Sequence, residues 1–384
     1  MTATGAARLG VNVAGWFSAD PGMGPVASAY ADALTAAGVP VQRHDLARAR
    51  RRSRSGEPAY PVTLVCMTAR ALAGLAFGSR QRPWPGDHVI GCWPWELAQP
   101  DPMMAVAARF VDEVWAPSSF AASAAALAVG ERRVHVIPLV VGAPSVRRGD
   151  AGRPAHTRAE LGMPQGRVFV SVVNLGSSTN ERAVLARKNP AGFIEAFQRA
   201  FPAGAGAGCY LKTVGGQEAP RALAQLREMV RDRPDCAVVD RHMSQAEMAS
   251  LLAHASAYVS LHRGEGFGLA VAEAMAAGVP VIATDYSGTT DFLSARTGFP
   301  VSHRLVAVGE GREPYAADAQ WAEPDLQHAV ALMRAVLTDP QAAAARAQCG
   351  RRLIAERFSA APVARLIGAR LAQLAQLSSS QLSS

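Results

Sequence analysis

The stretch from Ser260 to Phe292, SLHRGEGFGLAVAEAMAAGVPVIATDYSGTTDF, gathers residue types suited to holding an anion. An apolar run, AYVSLH, reads as a buried strand; the chain then passes through Gly264, Glu265, Gly266, Phe267 and Gly268 into a helical pattern. Glycines admit a ligand close to the backbone, and the first turn of a helix offers unpaired N–H groups at the positive end of its dipole. A diphosphate fits there. Glu265 lies on the loop and Glu273 inside the helix. A carboxylate accepts two hydrogen bonds, so Glu273 suits a ribose diol and Glu265 the hydroxyls of a transferred sugar. An ordinary helix glutamate and a first-turn acid favoured by the dipole would read the same way.

A second group is Arg187, Lys188, Asn189 and Pro190, expected to open the helix after the first strand of the second half. Fixed cations there would stabilise charge on a departing β-phosphate without a metal. Since cations oppose the dipole at a helix start, a merely solvated basic turn is the weaker reading. Arg182 lies six residues before Lys188. In the first half, GWFSADPGMGP places Gly22, Met23 and Gly24 in a βα turn, and IGCWPWELAQPDP places Trp93, Trp95 and Glu96 just after a strand. Indole faces and carboxylates bind sugars, so Trp95 and Glu96 are assigned to an acceptor, although tryptophans equally suit a core. Arg241 and His242 end the strand pattern CAVVDRH, where backbone contacts to a nucleotide base are expected. His262 ends the strand before the Gly-rich loop, and an isolated histidine is more often structural. No DxD motif in a suitable context and no His/Cys ligand spacing is present, so neither metal nor cofactor is expected.

Strand-like runs LGVNVAGW, VPVQRHD, VTLVCM, HVIGCW, EVWAPS and VHVIPLVV alternate with helical patterns, the rhythm of a parallel sheet. Residues 146–166, rich in Gly, Pro and charge, read as a linker. The expectation is an α/β protein with two doubly wound Rossmann-like domains facing a central cleft. They comprise an acceptor domain over 1–145, a donor domain over 167–357 and a C-terminal helix over 358–384 packing back on the first domain. Its last residues, LSSSQLSS, are expected to form a disordered polar tail.

EGFGLAVAEAMAAGVPVIAT, with its E-x7-E pair, resembles the donor-site signature of glycosyltransferase family four, the group 1 glycosyltransferases. RKNP followed by FIEAFQRAF resembles that family's basic pair; many relatives space the arginine six residues before the lysine, so the resemblance implies Arg182 or Arg187 as the partner of Lys188, with Arg187 favoured. VDEVWAPSSF follows the family's pattern, and WAEPD (Trp321 to Asp325) resembles a polysaccharide-assembly branch. The resemblance implies the GT-B fold and retaining, metal-independent transfer from a nucleotide sugar, GDP-mannose or a UDP-sugar, to a glycan or lipid-linked acceptor. It implies Glu273 on ribose, Glu265 on the donor sugar, and the backbone of Gly266, Phe267, Gly268 and Leu269 on the diphosphate, covered by the Gly22 to Gly24 loop. Asp291 falls where relatives carry Gly-Gly-x-x-Glu, a departure that leaves its role open. A nucleotide-sugar hydrolase or epimerase, or a non-catalytic nucleotide-sugar-binding protein, would share the same donor site.

The chain of 384 residues carries a net charge of +8, enough length for two α/β domains and no disordered composition. Arg48, Arg50, Arg51, Arg52 and Arg54 form a basic run, either a solvated loop or a contact for an anionic membrane; no nucleic-acid motif accompanies it. Five scattered cysteines argue against a disulfide framework. With no signal peptide or run of about 18 apolar residues, a cytoplasmic protein is expected, at most at the inner face of the membrane.

Overall fold

The computed structural model describes residues 10–17, 23–46, 59–76, 84, 87–142, 154–176 and 180–381. Gly22 and the arginine run from Arg48 to Arg54 lie outside them. The chain divides into two compact units, one of Met1–Trp95, Pro100–Val140 and Arg357–Ser384, the other of Glu96–Gln99 and Val141–Glu356.

In the first unit β1 (Val11–Gly15), β2 (Val41–Asp45), β3 (Val62–Cys66), β4 (His88–Cys92), β5 (Glu113–Ala116) and β6 (Val134–Val136) form a parallel sheet in the order β2-β1-β3-β4-β5-β6. β1 and β3 are buried along their whole length, as strands covered on both faces must be, which explains their mostly apolar residues; their two polar members pair with each other, Asn12 Nδ2 donating to Thr63 Oγ1 at 3.0 Å. The helix Met23–Ala36 starts beside β1, and a Cβ on Gly24 would lie 2.6 Å from the Trp16 carbonyl oxygen. Close packing of helix start on strand end therefore requires this glycine, and Met23 beside it is buried. The C-terminal helix Ala360–Gln381 belongs to this unit and packs on Met23–Ala36. Its backbone stays helical through Gln381, so the expected disordered tail is helical to that point: once nucleated, a helix gains one hydrogen bond per residue added.

In the second unit β7 (Arg167–Asn174), β8 (Ala207–Val214), β9 (Cys236–Asp240), β10 (Ala257–Ser260), β11 (Val281–Thr284) and β12 (Phe299–Val301) form another parallel sheet, ordered β12-β11-β10-β7-β8-β9. The order reverses between β7 and β10, which opens a crevice at their carboxyl ends. Phe169 of β7 stacks on Phe201 at 5.3 Å, and the amphipathic helix Pro190–Ala200 buries Phe193, Ile194 and Phe197 against the same core. An antiparallel pair, β13 (His303–Ala307) and β14 (Gln320–Pro324), carries Trp321 and Glu323. Asp325 caps the helix Leu326–Thr338 by accepting from the Gln327 and His328 amides.

Residues 154–166, within the expected linker, pack on this unit: Tyr210 donates to the Leu161 carbonyl at 2.6 Å, and the His156 amide to Ser250 at 3.2 Å. Loss of apolar periodicity did not mark a free segment here. Glu96–Gln99, expected in the first domain, group with the second unit.

Candidate functional site

The crevice between β7 and β10 holds a pocket of about 30 Å³ lined by Ser171, Tyr258, Lys188, Glu265, Gly268 and Leu269, among others. Three pieces of chain converge on it. The first is the loop from Gly264 to Gly268. A Cβ on Gly264 would sit 2.5 Å from the Glu96 carbonyl oxygen, and one on Gly268, at φ +89°, would sit 2.4 Å from the Thr289 methyl. Both positions need glycine for room, and Gly268 also for its left-handed backbone. The Glu265 amide donates to Ser287 Oγ at 2.8 Å, and the Gly288 amide to the Glu265 carbonyl at 2.9 Å, so the turn Ser287–Asp291 braces the loop.

The second piece is the helix Leu269–Ala276, which begins on Gly268 without a side-chain cap. The first amide to find an intrahelical acceptor is that of Ala272, on Gly268; those of Leu269, Ala270 and Val271, at the pocket wall, have none. Three uncapped donors and the positive dipole end thus meet the pocket.

The third piece corrects a sequence expectation. Arg187 and Lys188 do not open a helix; they close a separate one, Glu181–Lys188, where cations complement the dipole. Asn189, at φ 51°, is at once the C-cap of that helix and the N-cap of Pro190–Ala200. Its Nδ2 donates to the Leu261 carbonyl at 2.9 Å, and its Oδ1 accepts from the Gly192 amide at 3.2 Å. The sharp turn between two helices aims Lys188 at the loop after β10. Asn189→Ala is expected to lower stability by about 2–3 kcal/mol, through lost hydrogen bonds and left-handed strain, and Asn189→Gly by less; chemical denaturation of both variants checks the ranking.

Lys188 Nζ lies 2.5 Å from Glu265 Oε1. Arg187 donates from Nη1 to the Gly264 carbonyl at 2.9 Å and stands 3.7 Å from Glu265 Oε2 and 3.6 Å from Glu96 Oε1. Burial pushes the Glu265 carboxyl up, but Lys188, Arg187 and His262 outweigh it and hold it at about 2. Burial also disfavours the Arg187 charge, an effect more than offset by the Glu96 and Glu265 carboxylates. Arg182, the competing partner, lines a different pocket, of about 440 Å³, beside Glu310 and Arg312, and is not brought to Glu265.

Glu273 is half-buried, and its side chain makes no hydrogen bond or ion pair among the described residues. Burial alone raises its carboxyl from 4.5 to about 7. His262, fully buried, is tied to Ser260 Oγ at 3.0 Å and to the Tyr286 carbonyl at 3.3 Å, and burial lowers its pKa; it is a structural link. Arg241 pairs with Glu247 at 2.6 Å, and His242 is exposed. Trp95 is 7% exposed and Trp93 fully buried, which leaves little indole face for a sugar. Glu96 faces Arg187 at 3.6 Å and accepts from the Tyr315 hydroxyl at 3.3 Å.

Residues that sequence reasoning missed brace the site. Arg263 forms a bidentate pair with Glu323, at 2.7 and 2.8 Å, with its guanidinium 5.8 Å from the Trp321 ring centre, and its amide donates to the Arg187 carbonyl at 2.7 Å. WAEPD therefore acts partly through Arg263, a link that spans 60 residues and leaves no local signal.

Two doubly wound parallel sheets, with a basic pair and an uncapped helix start at the switch point of the second, have the architecture of the GT-B fold. Residues 186–367 match the model described as "Family 4 Glycosyltransferase in conflict systems". Among solved structures, HepE of Anabaena in complex with UDP-glucose is 17% identical, with a TM-score of 0.63, over 95% of this chain and all of that one. Sucrose-phosphate synthase of Thermosynechococcus elongatus is 17% identical with a TM-score of 0.67, over 96% of this chain and 99% of that one. A glycosyltransferase of Rickettsia africae is 13% identical with a TM-score of 0.65, over 96% and 98%. No curated protein matched the sequence.

Proposed function

We propose that the protein transfers a sugar, with retention, from a nucleotide-sugar donor to a hydroxyl of a glycan or lipid-linked acceptor. The observation that carries this reading is the Lys188–Glu265 pair set against the uncapped start of Leu269–Ala276. In the proposed chemistry the diphosphate draws Lys188 from Glu265 and docks on the free amides. As the bond to the anomeric carbon breaks, negative charge grows on the β-phosphate, where these donors already point. Glu265, still faced by Arg187, accepts from hydroxyls of the transferred sugar; the acceptor oxygen bonds to the anomeric carbon on the face that the diphosphate leaves, and its proton passes to the departing phosphate oxygen. The nearby cations supply the charge stabilisation proposed for a metal-independent reaction. The HepE complex with UDP-glucose supports a UDP-sugar as donor, alongside the GDP-mannose reading from the polysaccharide-assembly resemblance. Place of action at an anionic membrane surface rests on the arginine run alone; among the described residues no helix is long and apolar enough to cross a membrane.

The test is incubation with UDP-glucose and with GDP-mannose, with and without a mixed glycan acceptor, reading nucleoside diphosphate release and the anomeric configuration of the product by NMR. Acceptor-dependent release with retained configuration is expected. Release indifferent to acceptor would identify a hydrolase, and tight binding without release a binding protein.

Glu273 adds a pH signature. A free carboxyl at about 7 must ionise to accept both ribose hydroxyls well, so donor affinity should rise by about tenfold between pH 6 and pH 8 and proton release should accompany binding at neutral pH. Because the raised value penalises the charged form in the folded state, Glu273 costs stability as pH climbs from 4.5 through 7. Glu273→Gln should therefore flatten the calorimetric affinity profile while making the free protein more stable at pH 8.

A further inference from the structure

Arg187 is 8% exposed and is shared by two carboxylates that come from distant parts of the sequence. Neither contact is short: both exceed 3.5 Å, and the Arg187 Nε is buried with no hydrogen-bond partner among the described residues. Glu96 is fixed by its own surroundings. Its carbonyl oxygen packs where a Cβ of Gly264 would lie, its carboxylate accepts from the Tyr315 hydroxyl, and Gln99, three residues on, accepts from the Gln320 amide at 3.4 Å. Tyr315 is 8% exposed, with its ring 6.3 Å from that of Trp321. Burial keeps its hydroxyl protonated, hence a donor to Glu96.

We propose that Glu96 and Tyr315 are positioning residues for sugar transfer: Tyr315 holds Glu96, Glu96 holds the Arg187 guanidinium, and Arg187 stays on Glu265 when Lys188 leaves it for the donor phosphate. This rests on the transferase reading above. Charge bookkeeping requires such a device. In the free protein Lys188 and Arg187 balance Glu265 and Glu96; a diphosphate adds negative charge and takes Lys188, so Glu265 keeps its ionised, sugar-facing form only if Arg187 remains in place. The loose contacts and the unpaired Nε leave room for the network to contract once the ligand is bound, as site hydrogen bonds commonly do.

The consequences differ from those of a residue that merely supports the fold. Glu96 and Tyr315 act after the diphosphate has docked, so Glu96→Gln is expected to lower kcat about tenfold or more while the donor KM stays within about threefold. Tyr315→Phe should give a smaller fall in kcat with the same unchanged KM. Because Tyr315 and Glu96 act together on one guanidinium, the double variant should lose less than the product of the two single losses, whereas independent effects would multiply.

The experiment is steady-state kinetics of the full chain, wild type and the three variants, with whichever of UDP-glucose and GDP-mannose the wild type turns over, and calorimetric binding of UDP or GDP in parallel. The conservative variants retain volume, and binding of the nucleoside diphosphate reports that the unit is folded. A selective, non-additive loss of kcat supports the proposal. Unchanged kcat in Glu96→Gln, a loss confined to KM, or multiplicative effects in the double variant would overturn it. A wild type that turns over neither donor defeats the transferase reading instead, and with it the premise of the network.

Discussion

Lys188→Ala is expected to lower kcat/KM for transfer by about a thousandfold, the usual order for losing a preorganised group aimed at charge that develops in the transition state. The side chain is well placed for that loss. It projects from a turn held by Asn189 and reaches the wall formed by Gly268 and Leu269, where the uncapped amides lie. Lys188→Arg should recover only part of the rate, because a planar fork does not reproduce a point charge on a flexible stem. The same alanine variant should destabilise the free protein by about 3 kcal/mol, since Glu265, buried, would keep Arg187 alone at 3.7 Å. The pH signature separates the two effects. A carboxyl depressed to about 2 stabilises the fold above its ordinary 4.5, and that contribution is lost as pH falls from 4.5 toward 2. In Lys188→Ala the acid limb of stability should move to higher pH, as thermal unfolding across that range would register.

The largest effect expected on the fold alone is at Arg370. Its guanidinium donates to both oxygens of Glu113, which also accepts from Trp115 Nε1 at 2.7 Å and lies 3.4 Å from His88 and 3.6 Å from His135. Glu113 is 2% exposed, so Arg370→Ala would strand a buried charge and should cost about 3–5 kcal/mol. Burial raises the Glu113 carboxyl, but the nearby His88 and the hydrogen bonds from Arg370 and Trp115 hold it at about 2. Its stabilisation therefore exists above 4.5 and disappears as pH drops from 4.5 to 2, a window that should narrow in the variant. Replacing both partners, as in Glu113→Gln with Arg370→Met, should cost much less than either change alone, because no unpaired charge remains. Urea denaturation of the single and double variants checks this; equal costs for all would contradict it.

These expectations come from different depths of the sequence. The alternation of apolar runs with helical patterns is a local property, so both sheets and the Gly-rich turn at Glu265 were legible in the residue order alone. Whether a basic pair starts one helix or ends another depends on the residues before it, and NERAVLARK has too weak a periodicity to announce its own helix. Glu96 was legible as a carboxylate after a strand, but its partners, Arg187 and Tyr315, are 91 and 219 residues away and left no local trace. Trp95 illustrates the reverse: a residue type suited to sugars told nothing of its burial. Gly24 had a steric reason as well as a functional reading, and only the Trp16 carbonyl reveals it.

The central claim is that an incoming diphosphate displaces Glu265 from Lys188 at the start of Leu269–Ala276. The most direct measurement is a crystal structure of the protein with UDP or GDP. The account predicts the β-phosphate within hydrogen-bond reach of Lys188 Nζ and of the Leu269 or Ala270 amide, with Arg187 still facing Glu265. A nucleotide bound with the Lys188–Glu265 pair intact and its phosphates away from those amides would contradict it.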